Sequence, residues 1–259
     1  MNRKGFLKLL SAGGLGAFLT NTGNYLHKKS VVKPKKLQQG DTIGLISPGF
    51  ILPDSDRYDK IIDQIRKLGY KVKEGPNARN QYGYLAGTDK ERAADLNTMF
   101  ADDSVDAIMP FRGGWGCNRI LPLIDFNIIR ENPKILVGYS DITTLLLSIF
   151  AKTGLITFHG PVGKSAWTDY TKKNFKEVLT GQQKLFNIPD KNLCEDCDEL
   201  ATITPGKVKG KLLGGNLSVL TAMMGSDYLP NWDNSILFLE DVGEDVYRLD
   251  RMLKQLKLN

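Results

Sequence analysis

The stretch ILVGYSDITTLL, residues 135–146, joins a run of apolar residues to a helical pattern through Ser140 and Asp141. An apolar run followed by helical spacing predicts a buried strand that turns directly into a helix. Serine and aspartate are both good N-cap residues, so a purely structural role accounts for them. A serine at such a turn is also where hydrolases place a nucleophile, although Ile142 stands where that motif has its second glycine. The pattern alone leaves both interpretations open.

Short apolar runs and helical patterns alternate on both sides of this stretch. Strands are predicted at 42–47, 70–73, 105–110 and 133–137, and helices at 58–68, 89–102 and 141–152. Strands that alternate with helices predict a parallel sheet. We therefore expect an α/β protein with a flavodoxin- or Rossmann-like domain over residues 37–167, a linker over 168–207, and the start of a second, incomplete α/β domain over 208–259.

The positive charge of the chain is confined to its beginning. The formal net charge is +6 at pH 7, yet residues 1–36 contain eight Lys and Arg and no Asp or Glu. The remaining residues therefore carry a net charge of about −2, which is not that of a protein with a basic nucleic-acid-binding surface. Nucleic acid is not an expected partner.

Residues 1–36 have the layout of an export signal followed by a basic linker, with a charged start, a short apolar stretch and then polar residues. The apolar stretch is too short and too rich in glycine for a stable membrane span. Asn2, Arg3 and Lys4 resemble the start of a twin-arginine signal, with Lys4 in place of the second arginine. We expect an exported, periplasmic protein; a cytoplasmic protein with an N-terminal tail is the alternative.

Cysteine and histidine are too few for a disulfide framework or an obvious metal site. Cys194 and Cys197 have the spacing of a zinc-binding pair, but the sequence offers only Cys117, His27 and His159 as further ligands of these types. An acidic surface loop that contains two cysteines explains the pair. We expect neither a metal nor another cofactor.

Polar or glycine-rich residues follow three of the apolar strand patterns. They are the loop 113–116, Ser140 and Glu240. The carboxyl ends of parallel strands collect functional groups at one edge of a sheet. Glycines let backbone amides approach a ligand or merely allow a tight turn, and the neighbouring Arg112 could hold the terminal carboxylate of a peptide. Glu240 could equally form a surface ion pair with Arg248 or Arg251.

Four ordered segments of the chain carry a more specific signal than any single motif. They are FRGGWG (111–116), GYSDIT (138–143), HGP (159–161), and LEDVGE (239–244) with YRLDR (247–251). Together they resemble the signatures of the LD-carboxypeptidase family, which includes muramoyl-tetrapeptide carboxypeptidases and microcin C immunity hydrolases. The resemblance runs in register from about Leu37 to the last residue.

The resemblance implies a serine peptidase built on two α/β domains with the active site between them. It assigns Ser140 as the nucleophile and Glu240 as the acid that orients a catalytic histidine. The family releases D-alanine from peptidoglycan tetrapeptides without a metal. Muropeptides or small peptides are therefore the expected substrates, and a homodimer is the expected assembly.

The resemblance also implies how the substrate is held. The backbone amides of Asp141 and Gly114 would form the oxyanion hole. Arg112, Gly113 and Trp115 would line the substrate site. A glycine-rich loop that faces a nucleophile has a clear use in such a site, because its amides stabilise the charge that develops on the carbonyl oxygen.

The histidine that the resemblance requires is missing from the sequence. In the family it lies downstream of the glutamate, whereas here no histidine follows His159. His159 belongs to the His-Gly-Pro signature, for which a structural role is expected. Because serine is a poor nucleophile without a base, the chain is predicted to be a truncated copy with little activity. A naturally shortened inactive homologue, a hydrolase of peptidyl-nucleotide antibiotics and a non-catalytic binder of peptidoglycan fragments are the alternatives.

Overall fold

A five-stranded parallel sheet organises the protein in the computed structural model, which describes residues 31–182 and 202–258. Its strands are β1 (Thr42–Ile46), β2 (Lys71–Glu74), β3 (Ala107–Pro110), β4 (Ile135–Gly138) and β5 (Phe158–His159). They lie in the order β2-β1-β3-β4-β5, and every neighbouring pair is parallel. This is the strand order of flavodoxin-like folds, whose winding reverses between β1 and β3. The predicted α/β class is confirmed.

Helices connect these strands, most of them within a few residues of the predicted positions. They are α1 (Ser55–Lys67), α2 (Asp89–Ala101), α3 (Cys117–Ile120), α4 (Phe126–Glu131), α5 (Thr143–Thr153) and α6 (Asp169–Leu179). Thr88 and Glu91 form a capping box at the start of α2. Residues 120–129, whose sequence favours a short helical or turn region, contain both: a 3-10 turn at Leu121–Leu123 and the start of α4, which Asp125 caps separately.

Both faces of the sheet are covered, which explains why its central strands read as continuous apolar runs. Ile108 and Leu136 share one core cluster with residues of α2 and α5. Met109 and Val137 share the cluster on the other face with residues of α1 and α6. Every residue of β3 and β4 is buried. The carboxyl end of β4 is therefore packed against core residues on both faces of the sheet.

A second sheet has two parallel strands. In it, β6 (Lys211–Asn216) leads into α7 (Leu217–Ala222), and β7 (Ser235–Glu240) precedes α8 (Val246–Leu258). The strands pair so that Asn216 lies opposite Glu240 at their carboxyl ends. The Asn216 amide donates a 3.0 Å hydrogen bond to the Thr143 hydroxyl, and a side chain at position 215 would collide with Thr143. The carboxyl end of the second sheet therefore abuts the start of α5.

Some of the predictions fall outside the described residues. Residues 1–30 hold most of the predicted export signal, and residues 183–201 hold much of the predicted linker together with Cys194 and Cys197. At the described start of the linker, α6 packs Phe175 and Leu179 into the core. Within residues 31–182 and 202–258, no helix combines the length and the hydropathy needed to cross a membrane.

Candidate active site

The turn between β4 and α5, residues 138–142, is termed the elbow and holds Ser140 in a strained conformation. Ser140 has a φ of 63°, and Asn234 is the other non-glycine residue with a positive φ among the described residues. A side chain in this left-handed region costs about 1–3 kcal/mol, and such strain collects at functional turns. A serine on a sharp strand-to-helix turn is the backbone arrangement of a nucleophile elbow.

Helix capping does not account for Ser140 and Asp141. The 3-10 turn Ser140–Ile142 and the helix α5 both begin without a hydrogen bond from a capping side chain. The Asp141 carboxylate instead accepts a 2.9 Å hydrogen bond from the backbone amide of Cys117. The N-cap interpretation of these two residues is therefore wrong, and capping does not explain the positive φ of Ser140.

Two glycines make room for the elbow. A Cβ atom at Gly138 would lie 2.7 Å from Cγ2 of Ile142, so a larger residue would push the turn open. A Cβ atom at Gly113 would lie 3.0 Å from Cβ and 3.1 Å from Oγ of Ser140. The glycine-rich loop therefore passes directly against the serine side chain, and the bulk of any other residue at position 113 would fall on the hydroxyl.

A buried arginine anchors the far end of the glycine-rich loop. Arg92 on α2 is 1% exposed, and its Nη1 donates to the carbonyl oxygens of Pro48 and Gly116, the latter at 3.0 Å. Its Nη2 pairs with Asp89. The guanidinium thus joins the ends of β1 and β3, the two strands at which the winding of the sheet reverses.

The Asp141 side chain anchors the same loop from the elbow. It is fully buried, and burial raises the pKa of this carboxyl while the hydrogen bonds with Cys117 oppose the rise. Its Oδ1 has no hydrogen-bond partner in the described structure. The sequence predicted an oxyanion role for the Asp141 amide or a capping role for its side chain, and it predicted no role for Arg92. The signal that could have revealed Arg92 is its position on the apolar face of the predicted helix 89–102.

The carboxylate of Glu240 faces the elbow from the end of β7. Burial raises its pKa, while the nearby Asn216 side chain and the Ser140 backbone amide oppose the rise. Its Oε1 is buried without a hydrogen bond and lies 4.0 Å from Nε2 of His159. The alternative of a surface ion pair with Arg248 or Arg251 is wrong: Arg248 pairs with Glu244 and Asp245, and in the described part of the chain neither arginine forms an ion pair with Glu240.

His159 was expected to have a structural role and lies beside the predicted acid. Its side chain is 25% exposed, and burial lowers the pKa of its imidazole. The 4.0 Å separation from Glu240 is longer than a hydrogen bond, so burial dominates and favours the neutral ring. Its ring also packs edge-on against Phe238 of β7 at a centroid distance of 5.0 Å.

The predicted substrate-lining residues border the same edge. Arg112 donates from Nε to the Gly113 carbonyl at 3.2 Å and from Nη1 to the Ile51 carbonyl at 3.3 Å. Trp115 is 41% exposed. Gly114 has a φ of 128°, which suits glycine, and its Cα is crowded by Phe50. The structure therefore gathers the predicted residues at the carboxyl edges of the two sheets.

A strained serine on a strand-to-helix elbow, a glycine loop against its side chain and a carboxylate from a second sheet define a hydrolase-like site. Comparison with known proteins gives the family. Residues 43–160 match the LD-carboxypeptidase N-terminal domain, and residues 209–259 match the LD-carboxypeptidase C-terminal domain. The chain belongs to the LD-carboxypeptidase family, whose members are hydrolases of the carboxypeptidase class.

Named relatives agree with this assignment. A probable murein peptide carboxypeptidase of Bacillus subtilis is 43% identical over 231 residues, which cover 87% of this chain and 70% of the relative. The microcin C7 self-immunity protein of Escherichia coli is 34% identical over 250 residues, which cover 86% of this chain and 73% of the relative. The crystal structure of an MccF-like protein from Bacillus anthracis superposes with a TM-score of 0.78 at 30% identity, covering 88% of this chain and 77% of that one.

Proposed function

We propose that this protein is a serine carboxypeptidase that hydrolyses the LD-peptide bond before the terminal D-alanine of peptidoglycan tetrapeptides. The observation that carries the proposal is the strained Ser140, with Gly113 against its hydroxyl and Glu240 at its backbone amide. The substrate class follows the names of relatives, which include a murein tetrapeptide carboxypeptidase of Pseudomonas aeruginosa that is 35% identical over 222 residues.

In the proposed reaction, the Ser140 hydroxyl attacks the carbonyl carbon of the bond before D-alanine. Negative charge then develops on the carbonyl oxygen, and the amides of Asp141 and Gly114 are the proposed donors to it. One such donor lowers the barrier by about 3 kcal/mol in serine hydrolases. D-alanine leaves with a proton on its amine, and water hydrolyses the acyl-enzyme.

The proposed reaction needs a general base for the Ser140 hydroxyl. The resemblance places this histidine downstream of Glu240, and residues 1–259 contain none there. We infer that residues 1–259 by themselves release D-alanine slowly, because an unassisted serine hydroxyl is a weak nucleophile. The role proposed for Glu240 is to orient such a histidine, and its unpartnered buried Oε1 is suited to accept a ring N–H.

Release of D-alanine from a muropeptide tetrapeptide tests the proposal. We expect a chain that supplies a downstream histidine to release D-alanine, and Ser140→Ala in that chain to reduce the rate at least about a thousandfold. Residues 1–259 assayed alone should be much slower than a chain that supplies the downstream histidine. An inactive chain that supplies the histidine would remove the assignment, and a fully active Ser140→Ala variant would move the nucleophile elsewhere.

Hydrolysis of a peptidyl-nucleotide antibiotic is the second candidate. It is favoured by the 34% identity to the microcin C7 self-immunity protein, which has been crystallised in complex with aspartyl sulfamoyl adenosine. The same serine chemistry would serve both substrates. Tighter binding of aspartyl sulfamoyl adenosine than of the tetrapeptide to the Ser140→Ala protein would favour this second candidate.

We also propose that the protein acts outside the cytoplasm as a homodimer. Export through residues 1–36 would bring the site to peptidoglycan fragments. Cell fractionation tests the location, and light scattering of the purified protein tests the assembly. A protein retained in the cytoplasm, or a monomer at micromolar concentration, would contradict the respective part.

A further inference from the structure

Two cationic residues meet at the carboxyl edge of the first sheet, beside the glycine-rich loop. The chain after β5 runs along this edge through three backbone hydrogen bonds. The amides of Gly160, Gly163 and Lys164 donate to the carbonyl oxygens of Gly138, Pro110 and Phe111 at 3.1, 2.9 and 2.9 Å. Because Arg112 directly follows Phe111, these bonds place Lys164 next to Arg112.

The turn that carries Lys164 is held in place. The amide of Ser165 donates to the Val162 carbonyl at 3.0 Å, and the amide of Val162 donates to the Ser165 hydroxyl at 3.0 Å. A side chain at Gly163 would press on Ile61 and on the backbone of Phe111. Lys164 is therefore a largely exposed residue whose backbone is fixed by the turn beside Arg112.

The charges in this region are not balanced by the described part of the chain. Within residues 31–182 and 202–258, no carboxylate lies within 4.0 Å of the charged groups of Arg112 or Lys164. Burial lowers the pKa of Lys164, and the charges of Arg112 and Arg57 lower it further. Arg57 has Asp54 at 3.9 Å. An anion between Arg112 and Lys164 would relieve this repulsion.

The geometry of Arg112 suits an anion that reaches the nucleophile. Its Nε and Nη1 are engaged by backbone carbonyls, and its guanidinium lies over the Phe50 ring at 5.4 Å. A guanidinium has five N–H donors, so donors remain for a carboxylate. Gly113, the next residue, lies against the Ser140 side chain. A carboxylate bound at Arg112 is therefore close to the bond that Ser140 would attack.

We propose that Arg112 and Lys164, termed the cation pair, bind the terminal carboxylate of the amino acid that leaves. The inference rests on the proposed function and adds Lys164 to it as a specificity-determining residue. A carboxylate accepts charge-assisted hydrogen bonds from the Arg112 guanidinium and the Lys164 ammonium. A neutral C-terminal amide carries no negative charge to offset these two positive charges. The cation pair therefore selects peptides with a free C-terminus.

Binding in the absence of turnover tests the cation pair. In the Ser140→Ala protein, calorimetry compares a tetrapeptide that ends in D-alanine with the same peptide as its C-terminal amide. We expect the free acid to bind about tenfold more tightly, since hydrogen bonds to charged groups are worth about that factor or more. Lys164→Gln should remove most of this preference, because it should weaken binding of the free-acid peptide and leave binding of the amide peptide unchanged.

A matched lysine provides the control. Lys172 on α6 lies 3.1 Å from Asp169 and is partly exposed, so Lys172→Gln should leave both affinities unchanged. If Lys164→Gln weakens binding of the acid and the amide equally, or weakens neither, the proposed role of the cation pair is wrong. If a chain that supplies the downstream histidine releases no D-alanine while the preference for the acid still depends on Lys164, the proposed function is wrong and the cation pair is supported.

Discussion

The two sheets each supply one group to the candidate site, but they are packed very differently. Every residue of β3 and β4 is buried, whereas Leu212 on β6 is 67% exposed and Leu237 on β7 is 44% exposed. A cavity of about 770 Å³ is lined by residues of β5, α6, β6 and β7, including His159 and Phe238. The turn that carries Ser140 is therefore fixed by packing on both faces of its sheet. Glu240 instead lies at the end of a sheet whose strands keep exposed leucines.

The largest expected effect contrasts the cores of the two regions. Phe100 on α2 is fully buried in the first core, so Phe100→Ala should lower the free energy of unfolding by about 3–5 kcal/mol. Leu237→Ala removes a side chain that is already 44% exposed and should cost less than about 1 kcal/mol. Urea unfolding of both variants measures the difference. Similar losses would show that the second sheet is as tightly packed as the first.

The next effect concerns the anchor of the glycine-rich loop. Arg92→Gln leaves two backbone carbonyls and Asp89 without the guanidinium and should cost about 3 kcal/mol, because one member of a buried polar network is removed. Arg119→Gln is the matched control, since Arg119 pairs with Asp89 from the exposed side at 3.0 Å. Thermal unfolding of both variants is the measurement. An equal shift in Tm would contradict an anchoring role for Arg92.

A smaller effect, of opposite sign, is expected at the elbow. Ser140→Gly removes the cost of a side chain at φ 63° and adds the backbone entropy cost of glycine, so we expect a gain of about 0.5–1 kcal/mol in stability. Ser148→Gly, within α5, should instead lose stability. Denaturant unfolding of the two variants gives the comparison. A loss at Ser140 would mean that the elbow is not strained.

The smallest effect is the pH dependence contributed by His159. Because burial lowers its pKa, the native state binds fewer protons than the unfolded state between that lowered value and 6.5. The stability that the neutral His159 ring contributes is complete above pH 6.5, and it is lost as the pH falls from 6.5 to the lowered pKa. His159→Gln should therefore lose less stability than the wild type between about pH 7.5 and pH 5.

Urea unfolding at the two pH values measures the pH effect. Glu240 acts in the opposite direction, since its raised pKa makes the native state bind more protons than the unfolded state just above the ordinary value of 4.5. Glu240→Gln examined alongside separates the two contributions. A larger acid-induced loss of stability in His159→Gln than in the wild type would contradict a His159 ring whose pKa is lowered by its surroundings.

The first sheet was largely predictable because its signals are local. The apolar run before Ser140 must be buried on both faces, and its length suits a strand followed by a helix. The four ordered segments predicted the family correctly. The second sheet was predicted in part, since an apolar strand pattern was expected directly before Glu240 and β7 lies at Ser235–Glu240. Residues 120–129 were expected to be helical or a turn, and the bounds of the 3-10 turn that contains Pro122 and of the helix after it were not predicted, because both elements are short.

The sequence by itself determined the parallel α/β class, the position of the elbow and the family, since apolar periodicity and ordered motifs are properties of neighbouring residues. Only the tertiary structure decided that Ser140 is strained rather than a cap, that Arg92 is buried beneath the loop, and that Glu240 faces the elbow. These features join residues up to about a hundred positions apart. Their energies depend on burial and on contact distance, and neither quantity exists until the two sheets have packed together.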